Sequence, residues 1–194
     1  MKSSTIAILS VLGVIVLSVM WYISAGNALI ALDEKVSNSW AQVENVYQRR
    51  ADLIPNLVNT VKGYAKHEAD VLEAVTQARA SVGQIKVNAN SPQDLQKFDQ
   101  AQGQLSSALS RLMVVSEKYP DLKANTNFLE LQSQLEGTEN RITVERQRFN
   151  DVAREFNTAI RQFPGSIVAG NKGFKERAYF ASAKGSDKAP EVKF

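Results

Sequence analysis

Cysteine is absent from these 194 residues and histidine occurs once. The first absence excludes disulfides, thiolate zinc sites and a cysteine nucleophile, and it fits a reducing or an oxidising compartment equally. The second leaves His67 without the partners that histidine chemistry needs. His67-Glu68 opens like the metalloprotease helix motif, but that motif requires a second histidine three residues after the glutamate, where Val71 stands. No serine is marked out as the nucleophile of a triad. Neither GxGxxG nor GxxxxGK(S/T) occurs, so nucleotide binding has no support. No catalytic residue, cofactor or metal is therefore expected.

Charge is missing from a long stretch, the thirty residues Ser3 to Leu32. Within it Ile6 to Ile23 is almost wholly apolar. Eighteen residues rise about 27 Å as a helix, close to the roughly 30 Å hydrocarbon core of a bilayer. Ser10, Ser18 and Gly13 are tolerated there, because small hydroxyls bond back to the helix backbone. Trp21 and Tyr22 end the run, where amphipathic rings favour the headgroup layer. Gly26 and Ala28 would make a passable signal-peptide cleavage pair, but secretory apolar cores run only about 7–15 residues. The length favours a retained anchor, with residues 6–23 in lipid. Lys2 and the α-amino group precede the run, and Asp33, Glu34, Lys35 and Glu44 follow it. Positive charge stays inside, so the N-terminus is expected in the cytoplasm and the body outside it.

The rest is charge-balanced. Met1 to Phe163 carries 17 basic and 17 acidic residues, and the net charge of +3 resides in the last thirty or so residues. The basic balance is thus no nucleic-acid footprint, and no nucleic-acid partner is expected. About 165 residues after the anchor are enough for one modest core.

That body reads as all-α, a transmembrane helix followed by an antiparallel bundle of about four long helices. The first pattern runs Leu29, Leu32, Val36, Trp40, Val43 and Tyr47, with Gly26 and Asn27 as residues that loosen its join to the anchor. The second runs Ile54 to Val82. Asp52 is placed to cap it and Pro55 to stand in its first turn, so a break there is favoured over a kink. Proline inside a helix costs about 3 kcal/mol. Ser91 and Pro92 open a third helix, and Tyr119-Pro120 stops it. In the fourth, Phe128, Leu131, Leu135, Ile142, Phe149, Val152, Phe156 and Phe163 follow a heptad interrupted by Thr138 and Glu145. That period implies a left-handed packed seam. Phe163-Pro164-Gly165 ends it. The anchor is thus 1–26, the bundle 27–164, and 165–194 a weakly ordered basic tail whose Phe174 and Tyr179-Phe180 could dock back.

Several stretches carry a resemblance. Arg49-Arg50-Ala51-Asp52-Leu53-Ile54-Pro55-Asn56-Leu57-Val58, then Val61-Lys62-Gly63-Tyr64 and His67-Glu68, resemble the LemA family. So do Tyr119 to Ala124, Gly137 to Ile142, and the paired aromatic-Asn steps with Phe163-Pro164 after them. The resemblance implies an N-terminal transmembrane helix and an antiparallel bundle on the inner membrane of a bacterium. It implies no biochemical activity. It points instead to membrane shaping or to the neighbourhood of membrane proteases. The family pattern has Tyr-Asn twice, whereas this chain has Phe149-Asn150 and Phe156-Asn157. The packing shape is kept and the phenolic hydrogen bonds are not.

Four groups of residues remain as candidate interaction sites. Arg49, Arg50 and Asp52 suit either a turn-closing ion pair or recognition of an anionic lipid or partner carboxylate. Thr138, Glu139, Asn140, Arg141 and Glu145 interrupt the seam. They read as a polar layer that fixes register, with Lys62, Arg79, Gln102 or Arg111 as partners, or as a small-ligand site. Asn150 and Asn157, seven apart, share a helix face and suit register control. Lys172, Lys175 and Arg177 beside Phe174 and Tyr179-Phe180 suit a lipid interface. An enzyme, the reading ranked last, would need a buried polar pocket, for which the Thr138–Glu145 layer is the only candidate. The leading expectation is a non-catalytic scaffold that self-associates as a homo-oligomer on the membrane. The alternative is an adaptor for a membrane-protein partner such as a membrane protease.

Overall fold

The computed structural model describes residues 3–181. Its first helix, α1 (Ser3–Tyr64), is 62 residues long, about 93 Å at 1.5 Å per residue. Side chains from Ile6 to Ile23 stand largely bare, and burial begins at Gly26 and Leu29. From there two series hold the buried face. Leu29, Val36, Val43 and Leu57 fall in one seven-residue register, and Trp40, Tyr47, Ile54 and Val61 in another. Gly26 and Asn27 loosen nothing, and the helix passes through both.

Pro55 does not break it either. Proline lacks the N–H that the carbonyl four residues earlier would accept. That carbonyl belongs to Ala51, and Arg79 donates its Nε–H to it at 2.8 Å. Pro55 itself lies on the exposed face. The expected hairpin at Asp52 is therefore absent, and Asp52 accepts a hydrogen bond from Gln48 Nε2 at 2.8 Å instead of capping a helix. The reversal comes at residues 65–68, with Ala65 fully buried in the turn.

The chain then runs α2 (Ala69–Gly83), α3 (Pro92–Ser116), the single turn α4 (Pro120–Lys123), α5 (Thr126–Arg161) and α6 (Gly165–Lys172). Ser91 caps α3 by accepting from the Asp94 amide, and Asn125 caps α5 by accepting from the Phe128 amide. α1, α2, α3 and α5 form the antiparallel bundle, with α1 and α5 as the main pair.

Residues 165–181 are built into the fold rather than weakly ordered. α6 folds back on the end of α5 through Gly165, where an added Cβ would lie 2.2 Å from the Ala159 carbonyl oxygen. Gly173, at φ 75°, ends it in the left-handed region that glycine adopts without strain. Residues 174–181 then run extended along the bundle, with Phe180 buried and Phe174 half-buried. The remainder of the expected tail, 182–194, lies outside the described residues.

Two apolar clusters result. The proximal one, beside the bare end of α1, holds Trp40, Tyr47, Phe98, Phe149, Phe156 and Phe180. The distal one is largely aliphatic, built on Ile54, Leu57, Val61, Leu105, Leu112 and Leu135 around Phe128.

Candidate functional site

Arg50 lies on the α1 face between these clusters. It occupies the seven-residue register of Leu29, Val36, Val43 and Leu57, and the fold therefore carries it inward, where it is 3% exposed. A buried guanidinium must be paired. Its Nη1 donates to Glu139 Oε2 at 2.7 Å and to Ser106 Oγ at 3.1 Å. Its Nη2 donates to Gln102 Oε1. The expected pairing with Asp52 does not form. Glu139 keeps 55% of its side chain exposed, so the pair opens to solvent on one side. Tyr47, one helical turn away, offers its ring 5.3 Å from the Arg50 Cζ.

These residues line a cavity of about 740 Å³ between α1, α3 and α5. Arg146 enters it, pairs with Asp99 at 2.8 Å and lies 4.5 Å above the Phe180 ring. Arg50 Nε and the Tyr47 hydroxyl are buried there without an acceptor or donor among the described residues. Burial pushes the Tyr47 hydroxyl above its ordinary pKa, and the nearby Arg146 and Arg50 charges oppose the rise.

Asn150 and Asn157 do something other than set helix register. Asn157 Oδ1 accepts the Arg177 amide at 2.7 Å, and its Nδ2 donates to the Arg177 carbonyl at 2.9 Å and to Tyr179 Oη at 2.8 Å. Asn150 repeats this on Phe180, at 2.8 Å from the amide and 3.0 Å to the carbonyl. Each carboxamide thus pairs with both backbone groups of one residue, as a neighbouring strand would. The spacing explains the match. Seven helical residues rise about 10.5 Å, and three extended residues span about 10 Å. The two segments run antiparallel. Arg177 adds an ion pair to Asp33 and lies 5.2 Å from the Phe156 ring centroid.

The other sequence candidates scatter. Arg49, Asn140 and Arg141 are exposed. Thr138 is buried but satisfies itself by donating to the Gln134 carbonyl at 2.7 Å. It needs none of Lys62, Arg79, Gln102 or Arg111. Glu145 is half-buried and takes two 3.0 Å bonds from Arg148 on its own helix. It does not line the cavity. His67 is exposed in the turn after α1, where Glu68 accepts from the Tyr119 hydroxyl at 3.3 Å. Among the described residues no three His, Asp or Glu side chains gather as a metal site.

The heptad face of α5 is spent inside the molecule. Phe128, Leu135, Ile142, Phe149 and Phe156 are all buried.

Fold and site together define an all-helical bundle continuous with one helix long and apolar enough to cross a membrane. The most apolar eighteen-residue window of that helix has a mean hydropathy of 2.5, and none of it is buried. The LemA family profile matches residues 39–194, and the chain belongs to that family. It is 26% identical over 148 residues to Protein LemA of Metamycoplasma hominis, covering 76% of this chain. It spans 65% of that relative, just under two thirds of its length. It is also 25% identical to the magnetosome protein MamQ of Magnetospirillum gryphiswaldense, over 94% of this chain and 72% of MamQ. Two MamQ proteins of Paramagnetospirillum magneticum match to the same extent.

Proposed function

We propose that this chain is a non-catalytic, single-pass membrane scaffold of the bacterial inner membrane. Its bundle projects from the extracytoplasmic face and associates laterally with further copies. The observation that carries this reading is the unbroken α1, whose bare apolar third continues without a hinge into the core of the bundle. A bundle joined to its anchor in this way stands at one fixed attitude to the bilayer. Copies sharing one attitude and one plane meet at high effective concentration, which favours assembly without large contacts. The even balance of acidic and basic residues before the tail removes the mutual repulsion that would oppose it. Similarity to proteins named for the magnetosome rather than for a reaction supports the same reading. Light scattering on the full chain, extracted in mild detergent, tests it. Particles of several chain masses are expected, and a uniformly monomeric particle would overturn the scaffold.

The cavity beside Arg50 favours a second reading, an adaptor for a membrane-protein partner. Glu139, Asp151 and Arg154 line it and stand exposed, and offer charged groups to that partner. Site-specific photo-crosslinking from Ser106 should then give one defined heterologous product. Self-adducts alone would return the weight to the scaffold.

A further inference from the structure

The depth of α6 is set by its neighbour. Apolar side chains on α1 stand bare from Ile6 to Ile23, so the water boundary of a spanning helix falls at Trp21 and Tyr22. Phe163 stacks on Trp21, with ring centroids 6.5 Å apart and planes at 24°. It is nonetheless 80% exposed, and Ile167 beyond it is 49% exposed. On the inner side of the same helix Val168 is fully buried. It packs by Gly26, where an added Cβ would meet Val168 Cγ1 at 3.7 Å and Lys172 Cε at 3.2 Å. Gly26 is five residues beyond Trp21, about 7.5 Å along the helix axis. α6 therefore lies beside α1 at the level where the span leaves the lipid. A bare phenylalanine and isoleucine at that level face headgroups rather than water, and the exposed Lys172 and Lys175 follow them in the chain.

We propose that Phe163, Ile167 and the outer face of α6 form a foot that enters the headgroup layer. The bundle would then touch the bilayer at two points, the span and the foot. This rests on the reading of α1 as a membrane span. It also moves the apolar part of the lipid contact from Phe174 and Phe180 to Phe163 and Ile167, and keeps Lys172 and Lys175 beside it. Phe180 and Phe174 are turned onto the bundle, and Arg177 is held by Asp33 and Asn157. The second contact sets the rotation of the bundle about the span, which a single helix leaves open.

The absence of native cysteine permits single-site labelling. The full chain is reconstituted in phosphatidylcholine–phosphatidylglycerol vesicles with an environment-sensitive fluorophore at Ser166→Cys, Leu9→Cys or Glu130→Cys. The label at 166 should be quenched by a spin-labelled lipid of shallow depth and show several-fold less iodide quenching than the label at 130. Adding Phe163→Ser and Ile167→Ser to Ser166→Cys should restore iodide access while leaving the label at Leu9→Cys in lipid. If position 9 is reached by deep lipid quenchers but position 166 is as open to iodide as 130, the foot is wrong and the span stands. If position 9 is itself open to iodide, the span fails and the foot falls with it.

Discussion

The two halves of the bundle share one helical register and are closed differently. The distal half is filled by Ile, Leu and Val from five helices, with Phe128 as its large buried aromatic. The proximal half is a box of rings: Trp40 lies 5.5 Å from Phe149, 6.3 Å from Phe98 and 5.9 Å from Phe180. One wall of that box, Phe180, comes from an extended segment and not from a helix. The short α2 packs on the distal half, so the proximal half of the α1–α5 groove needs another cover. The segment 174–181 supplies it, held by side-chain amides because a helix offers no free backbone edge. Aliphatic seams close themselves; the aromatic half depends on a cover that can be removed separately.

The largest losses of stability are expected from inside each half. Phe149→Ala should cost about 3–5 kcal/mol and Leu57→Ala about 2–5 kcal/mol. Denaturant unfolding checks both. Only the proximal change should also release amide protection at Phe180.

Arg50→Ala, between the halves, should cost about 2–4 kcal/mol, because it leaves Gln102 and Ser106 facing a void. Arg50→Met should recover most of it, since an apolar chain of similar length fills the site without a charge to desolvate. Equal losses in the two variants would show that the ion pair itself holds the halves in register.

Asn157→Ala should cost about 1–3 kcal/mol by stripping both backbone groups of Arg177. Hydrogen exchange should speed up at residues 177–180 and stay unchanged at Leu57 and Leu112. Arg79→Ala should cost about 1–2 kcal/mol by orphaning the Ala51 carbonyl, and its effect should stay in the distal half.

The smallest effect concerns pH. The buried Tyr47 hydroxyl titrates above its ordinary value near 10, so the unfolded chain loses that proton first as pH rises. Stability should therefore fall as pH climbs above about 10, and Tyr47→Phe should remove that part of the slope. A titration of the two proteins by thermal melting checks it.

The parts legible from sequence were those whose signals are local. Ser91-Pro92, Tyr119-Pro120 and Phe163-Pro164 mark real helix boundaries, because caps and prolines act on their own neighbours. Pro55 misled because its rescue comes from Arg79, on the next helix. Asp52, two residues from Arg50, is the local partner that the sequence offers, although the series Leu29, Val36, Val43, Arg50, Leu57 places Arg50 on the buried face. The partners of Asn150 and Asn157 lie 20 to 30 residues downstream in a stretch whose Gly, Ser and Lys content suggests disorder. Their seven-residue spacing was visible, and its fit to three extended residues was not.

The scaffold requires anchor and bundle to move as one rigid body joined by α1. Spin labels at Leu17→Cys and Arg49→Cys, in the full chain held in lipid nanodiscs, test it most directly by pulsed electron resonance. The two sites are 32 residues apart, so a continuous helix predicts a narrow distribution near 48 Å. A broad distribution reaching to shorter distances would place a hinge between span and bundle and rule out the rigid join.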